Sequence, residues 1–178
     1  MPIKYIKGNL FEHVREGDCI IHVCNDVNKW GSGFVVPLGE RYPAVREAYH
    51  KWADIKEMVP MDVYLSKGSF IHCYTGPPTL GNIQAVYVPE PHEVMVVNMI
   101  AQKGVIGPDT PTPIKYDALE ECLAAIRSTI TLDSKRIIAP LIGSGLAGGK
   151  WSFISKIIEK IFYDKEVTIY YLNEIPKG

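Results

Sequence analysis

The sequence of 178 residues has no long apolar run, no excess of charge of either sign and no paired-cysteine motif. No stretch approaches the roughly 20 apolar residues that a membrane-spanning helix needs, and MPIKYIKGNLF at the start lacks the apolar segment of a secretion signal. A cytoplasmic location with no membrane partner is therefore expected. The 19 Lys and Arg and 20 Asp and Glu are mixed along the chain, for a formal net charge of -1. Such a balance excludes the basic footprint of a protein that grips long nucleic acid, and leaves a small molecule as the expected ligand.

Four cysteines, Cys19, Cys24, Cys73 and Cys122, form no CxxC pair and lack the His spacing of a zinc site. Free thiols in a reducing compartment follow, with neither metal nor cofactor expected. Internal repeats, low-complexity tracts and linkers are also missing. Residues 1–178 thus read as one domain, expected as a monomer, and the 47% hydrophobic content is enough for a continuous core.

What is present is an alternation of strands and amphipathic helices. Residues 3–6, 19–24, 69–75, 85–88, 93–101, 136–143 and 167–172 are short runs rich in Ile, Val and aromatics, and read as strands. Residues 34–55 read as two helices broken near Pro43. The spacing of Leu119, Cys122, Leu123, Ile126 and Ile130 predicts a helix over 116–130, and that of Trp151, Ile154, Ile157, Ile158 and Ile161 another over 150–164. The pattern predicts an α/β protein, a three-layer α/β/α sandwich around a mixed, largely parallel sheet.

In such sheets ligands sit where strands run into helices at the strands' carboxyl ends. Two loops qualify. NKWGSGF follows the strand 19–24, and IGSGLAGGKW (142–151) follows the strand 136–143. Glycines in both let a phosphate or ribose approach the main chain, so the pair predicts two walls of one anion-lined cleft. GSGLAG matches GxGxxG, but only one helix and one strand follow it, too few for a dinucleotide fold. A Walker A loop fails as well, because Trp151 follows Gly149-Lys150 and position 144 is Ser.

Alternation along IIHVCN puts residues 20, 22 and 24 on one face and 21, 23 and 25 on the other. Asn25 ends the strand beside the glycines, where it either holds a ribose hydroxyl or shapes the turn through Asx bonds; the glycines on both loops favour ligand contact. His22 has two readings from its residues alone: a core histidine bonded to a buried partner, or a catalytic group. Pro/Gly-rich segments at 75–82 and 104–113 read first as surface connections, with a place on the rim of the pocket as the alternative.

YIKGNLF, IIHVCNDVNKWGSGF, RYP and APLIGSGLAGGKW together resemble the macrodomain family of ADP-ribose-binding and ADP-ribose 1″-phosphate-processing proteins, in particular its phosphatase-like branch. The resemblance implies a macrodomain-like sandwich that binds ADP-ribose or ADP-ribose 1″-phosphate. It places Gly8, Asn9 and Leu10 at the adenine, with Asn9 where many members have Asp. Cys24, Asn25, Asp26, Gly31, Ser32, Gly33, Phe34, Val35 and Val36 would curl around the distal ribose and diphosphate. Ile142, Gly143, Ser144, Gly145, Leu146, Ala147 and Gly148 would form the second phosphate loop. His22 is implied as the catalytic residue of a hydrolase that releases phosphate from ADP-ribose 1″-phosphate. A sister branch that removes ADP-ribose from glutamate uses a lysine and an aspartate where this chain has Gln102 and Ala147, with Lys103 one position away. The alternatives to a phosphatase are an ADP-ribosyl hydrolase of another linkage and a reader that binds without turnover.

Overall fold

Valine and isoleucine dominate the runs 19–25 and 94–102, and these become the two central strands of the sheet. A computed structural model describes residues 2–54, 63–133 and 135–178. In chain order its elements are β1 (Lys4–Lys7), β2 (Cys19–Asn25), α1 (Val35–Arg41), α2 (Pro43–Trp52), β3 (Val63–Tyr64), β4 (Phe70–Tyr74), β5 (Ile83–Val88), β6 (Val94–Gln102), α3 (Tyr116–Thr129), β7 (Ile137–Ala139), α4 (Trp151–Ile161) and β8 (Val167–Tyr171). The strand order is β1-β8-β7-β2-β6-β5-β4-β3. From β1 to β6 all neighbours are parallel, and the β6-β5-β4-β3 side is antiparallel. Every strand of the parallel half therefore ends at the same edge of the sheet, and the loops after β1, β2, β6 and β7 gather there.

Alternation splits the core into two layers. Ile21 of β2 and Met95, Val97 and Met99 of β6 pack against Leu119, Cys122 and Ile126 of α3 and Ile154 and Ile158 of α4. Ile20 and Cys24, with Val94, Val96 and Ile100, face Leu38 of α1 and Val45, Tyr49 and Trp52 of α2. Pro43 opens α2 at its first position, where the missing N–H costs nothing, so the expected break falls between Arg41 and Pro43. Arg136, just before β7, is bonded through Nε and Nη2 to both oxygens of the buried Asp18, just before β2, at 3.1 and 2.8 Å. This pair fixes the start of the two strands whose far ends carry the glycine loops.

Three differences from the expected elements have physical causes. β7 stops at Ala139, short of 143, because Pro140 has no N–H for a ladder and the chain turns at once through Ile142 N–H to Pro140 O (2.8 Å). β3, only two residues long, is too brief to leave a period in the sequence. α2 ends at Trp52, and residue 55, the expected limit, lies outside the described residues. Among the described residues no helix is long and apolar enough to cross a membrane.

Candidate functional site

β2 and β7 are neighbours in the sheet, so the two glycine loops leave adjacent strands at one edge and face each other. Between them lies a cleft of about 310 Å³, at the small end of the roughly 300–1,000 Å³ usual for small-molecule sites. The loops touch at its mouth: Gly33 has φ 81°, and a side chain there would meet Leu146 Cδ1 at 3.4 Å. The amides of Gly31, Ser32, Gly33, Gly143, Gly145 and Leu146 make no hydrogen bond to any described residue. Free N–H donors on two facing loops are the chemistry of an oxyanion cradle. The lining includes one formally charged side chain, Lys29, and among the described residues no carboxylate.

Asn25 builds the first wall. Its Oδ1 accepts from the N–H groups of Val27 and Lys29, both at 3.1 Å, and its Nδ2 donates to Lys29 O at 2.8 Å. Tyr49 of α2 donates its hydroxyl to Asn25 Oδ1 at 2.8 Å, so the turn is pinned to the helix. Strict alternation puts Asn25 opposite His22 and Cys24. Instead it turns to the α2 side, at the point where the β2–β6 register shifts between Cys24 and Asn25. The Asx bonds named as the alternative to ligand contact are thus made, and one Nδ2 hydrogen remains for the cleft. The second wall is closed by Gly149 N–H to Gly143 O (2.7 Å) and tied down by Ile114 N–H to Ala147 O (3.1 Å).

His22 lies in the cleft floor with 1% of its surface exposed. It pairs in register with Asn98 of β6, which pairs with Gln84 of β5, and the three side chains form a buried row across adjacent strands. His22 Nε2–H donates to Asn98 Oδ1, Asn98 Nδ2 donates to Gln84 Oε1 (2.8 Å), and Gln84 Nε2 donates to Ala48 O of α2 (2.8 Å). The direction of the row assigns the proton to Nε2 and leaves Nδ1 an acceptor, with the Cys24 thiol at 3.9 Å. Burial lowers the imidazole from its ordinary 6.5 to about 4, partly offset by Asn98, so His22 is neutral at physiological pH. Trp30 packs edge-on against His22 (centroids 5.7 Å) and against Tyr49, beneath its loop rather than over the cleft.

A pH effect follows. Below pH 6.5 the unfolded chain takes up a proton at His22 and the folded chain does not, so stability falls as pH drops towards 4 and rises as pH climbs through that window. The expected loss is about 3 kcal/mol. Thermal unfolding of wild type and His22→Gln between pH 7 and pH 4 checks it, since the glutamine variant lacks this component of the slope.

Of the residues expected at the site, Cys24, Asn25, Gly31, Ser32, Gly33, Phe34 and Val35 line the cleft on one side, and Ile142, Gly143, Gly145, Leu146 and Ala147 on the other. Asp26 instead accepts from Gly104 N–H at 2.8 Å, Ser144 Oγ bonds back to Leu141 O, and Gly148 N–H bonds to Gly145 O. Val36 is exposed on α1 outside the cleft. Gly8, Asn9 and Leu10 lie after β1, away from this cleft: Asn9 Oδ1 caps Phe11 N–H (3.0 Å) and Leu10 is core. The segment 104–113 is more than a surface connection, because Val105 and Ile106 line the cleft. Lys29 and Gln102 line it too. Two exposed aliphatics in a Pro/Gly-rich loop and a lone lysine between an Asx turn and two glycines were the available signals.

No family model matches the chain. A solved protein of unknown function from Bacteroides thetaiotaomicron is 32% identical, over 97% of this chain and 99% of that one, with TM-score 0.75. A macrodomain protein from Streptomyces coelicolor is 29% identical over 94% of this chain and 97% of that one, with TM-score 0.68. The ADP-ribose 1″-phosphate phosphatase of Aspergillus oryzae is 40% identical over 48 residues, covering 27% of this chain and 23% of that protein.

Proposed function

The chain belongs to the macrodomain family, and on that premise we propose that it binds ADP-ribose and hydrolyses ADP-ribose 1″-phosphate to ADP-ribose and phosphate. The observation that carries the binding is the pair of facing loops whose amides find no acceptor, and whose lining holds no carboxylate, among the described residues. The diphosphate lies between them, and the distal ribose reaches towards Asn25 and the floor at His22. β1 stands three strand positions from β2, about 14 Å at the usual strand spacing. The adenine therefore extends along the edge towards Gly8, Asn9 and Leu10.

In the reaction, water attacks the terminal phosphorus, the bond from phosphorus to the C1″ oxygen breaks, and that oxygen takes up a proton. The loop amides stabilise the charge that grows on the phosphoryl oxygens. His22 is neutral with Nε2–H committed to Asn98, so its Nδ1 holds the attacking water rather than acting as a cationic acid. The lysine-and-aspartate route of the sister branch finds an amide and a methyl instead: Gln102, bonded to Gly104 O, and Ala147. A reader that binds ADP-ribose without turnover is the second reading, favoured by the burial of His22.

Calorimetric titration with ADP-ribose and phosphate release from ADP-ribose 1″-phosphate test the proposal together. Saturable one-to-one binding with release is the expected result. Binding with no release leaves the reader, and no binding of either compound contradicts both readings.

A further inference from the structure

We infer that Lys29 selects ligands bearing a phosphomonoester on the distal ribose over those ending in a free hydroxyl. The inference rests on the ADP-ribose reading of the cleft and adds the group that tells its substrate from its product.

Lys29 is the charged side chain of the lining, and it makes no ion pair with any described residue. The adjoining hollow is different. There Lys103 and Lys115 share the lining with Asp26 and Asp109, carboxylates of a kind that the cleft lining lacks among the described residues. In the cleft the charge of Lys29 has no such counterpart, and an anionic ligand supplies it.

Placement makes the charge specific. Both main-chain groups of Lys29 are held by the Asn25 side chain, and Tyr49 holds Asn25 in turn. The lysine thus starts from a fixed turn, with only its own side chain free to move, on the Asn25 side of the cleft where Gln102, Val105 and Ile106 also line the wall. A diphosphate is served by the amides of the two glycine loops, which are neutral dipoles. A monoester adds close to two further negative charges, and neutral dipoles match these less well than an ammonium group does. Substrate and product differ by that group alone, so a cation at its end of the cleft favours substrate.

The test compares wild type, Lys29→Gln and Lys29→Arg. KM is measured for ADP-ribose 1″-phosphate, and the inhibition constant for ADP-ribose as product. Where turnover is absent, dissociation constants of the two compounds replace them. Lys29→Gln is expected to weaken the phosphorylated ligand about tenfold, the scale of one lost charge-assisted bond, while ADP-ribose changes less than about twofold. Lys29→Arg should restore most of the preference, and added salt should shrink it. Equal losses for both ligands would assign Lys29 to the diphosphate and overturn the inference, as would no loss for either. A wild type that binds neither ligand defeats the ADP-ribose reading itself, and that outcome is visible without any variant.

Discussion

Gly149→Ala is expected to cost about 2 kcal/mol and lower the unfolding midpoint by about 6 °C, and to weaken ADP-ribose at least about tenfold by opening the loop that holds its phosphates. The cause is a single close approach. A Cβ at position 149 would stand 2.5 Å from Gly143 O and 2.8 Å from Ile154 Cδ1. That carbonyl is the one Gly149 N–H binds at 2.7 Å to close the second wall, so the added methyl pushes against the acceptor the loop depends on. Relief requires moving backbone rather than a flexible side chain. Gly31→Ala is the stability control: a methyl there meets nothing within 4 Å, and its melting curve should match that of wild type. Thermal melts of both variants decide it. An unchanged midpoint for Gly149→Ala would mean the loop has a freedom its bonding does not indicate.

His22→Ala is expected to cost about 3 kcal/mol, from the emptied volume and the bond lost by buried Asn98, and to abolish phosphate release while the folded variant still binds ADP-ribose. Asn98→Leu separates the two effects. It breaks the same buried row at its middle, leaving His22 and Gln84 without their shared partner, yet Asn98 is not itself among the residues that line the cleft. A comparable loss of stability with residual turnover is expected of Asn98→Leu, against no turnover in His22→Ala. Unimpaired turnover by His22→Ala would make the histidine a structural member of the row alone and would move the chemistry to another group.

Much of this architecture was legible in the sequence because it rests on local signals. Strand alternation in 19–25 and 94–102 separates the two core layers, and Pro43 marks the helix break as its missing N–H requires. The two glycine loops also fell in place, since strand-glycine-helix order predicts a strand's carboxyl end. What was hidden depended on contacts across the chain. The side-chain direction of Asn25 is set by Tyr49, 24 residues away, and no periodicity within IIHVCN encodes that bond. The row from His22 through Asn98 and Gln84 needs the register of three strands. Sequence left His22 open between core and catalysis, and the structure gives it a buried partner together with a place in the cleft floor. Lys29, Val105 and Ile106 belong to the site because the segment after β6 meets the loop after β2, where Gly104 N–H donates to Asp26, a contact that the rim alternative for 104–113 allowed but no local pattern specified.

Backbone amide spectra recorded during titration with ADP-ribose report whether the ligand lies between the two glycine loops. The largest shifts are expected at Gly31, Ser32, Gly33, Gly143, Gly145 and Leu146, whose N–H groups have no acceptor among the described residues. Smaller shifts at Asn9 and Leu10 would follow from adenine at the end of β1. Saturable shifts confined to other surfaces, such as the hollow beside Arg41 and Lys67, with these six amides unmoved, would place the ligand outside the cleft.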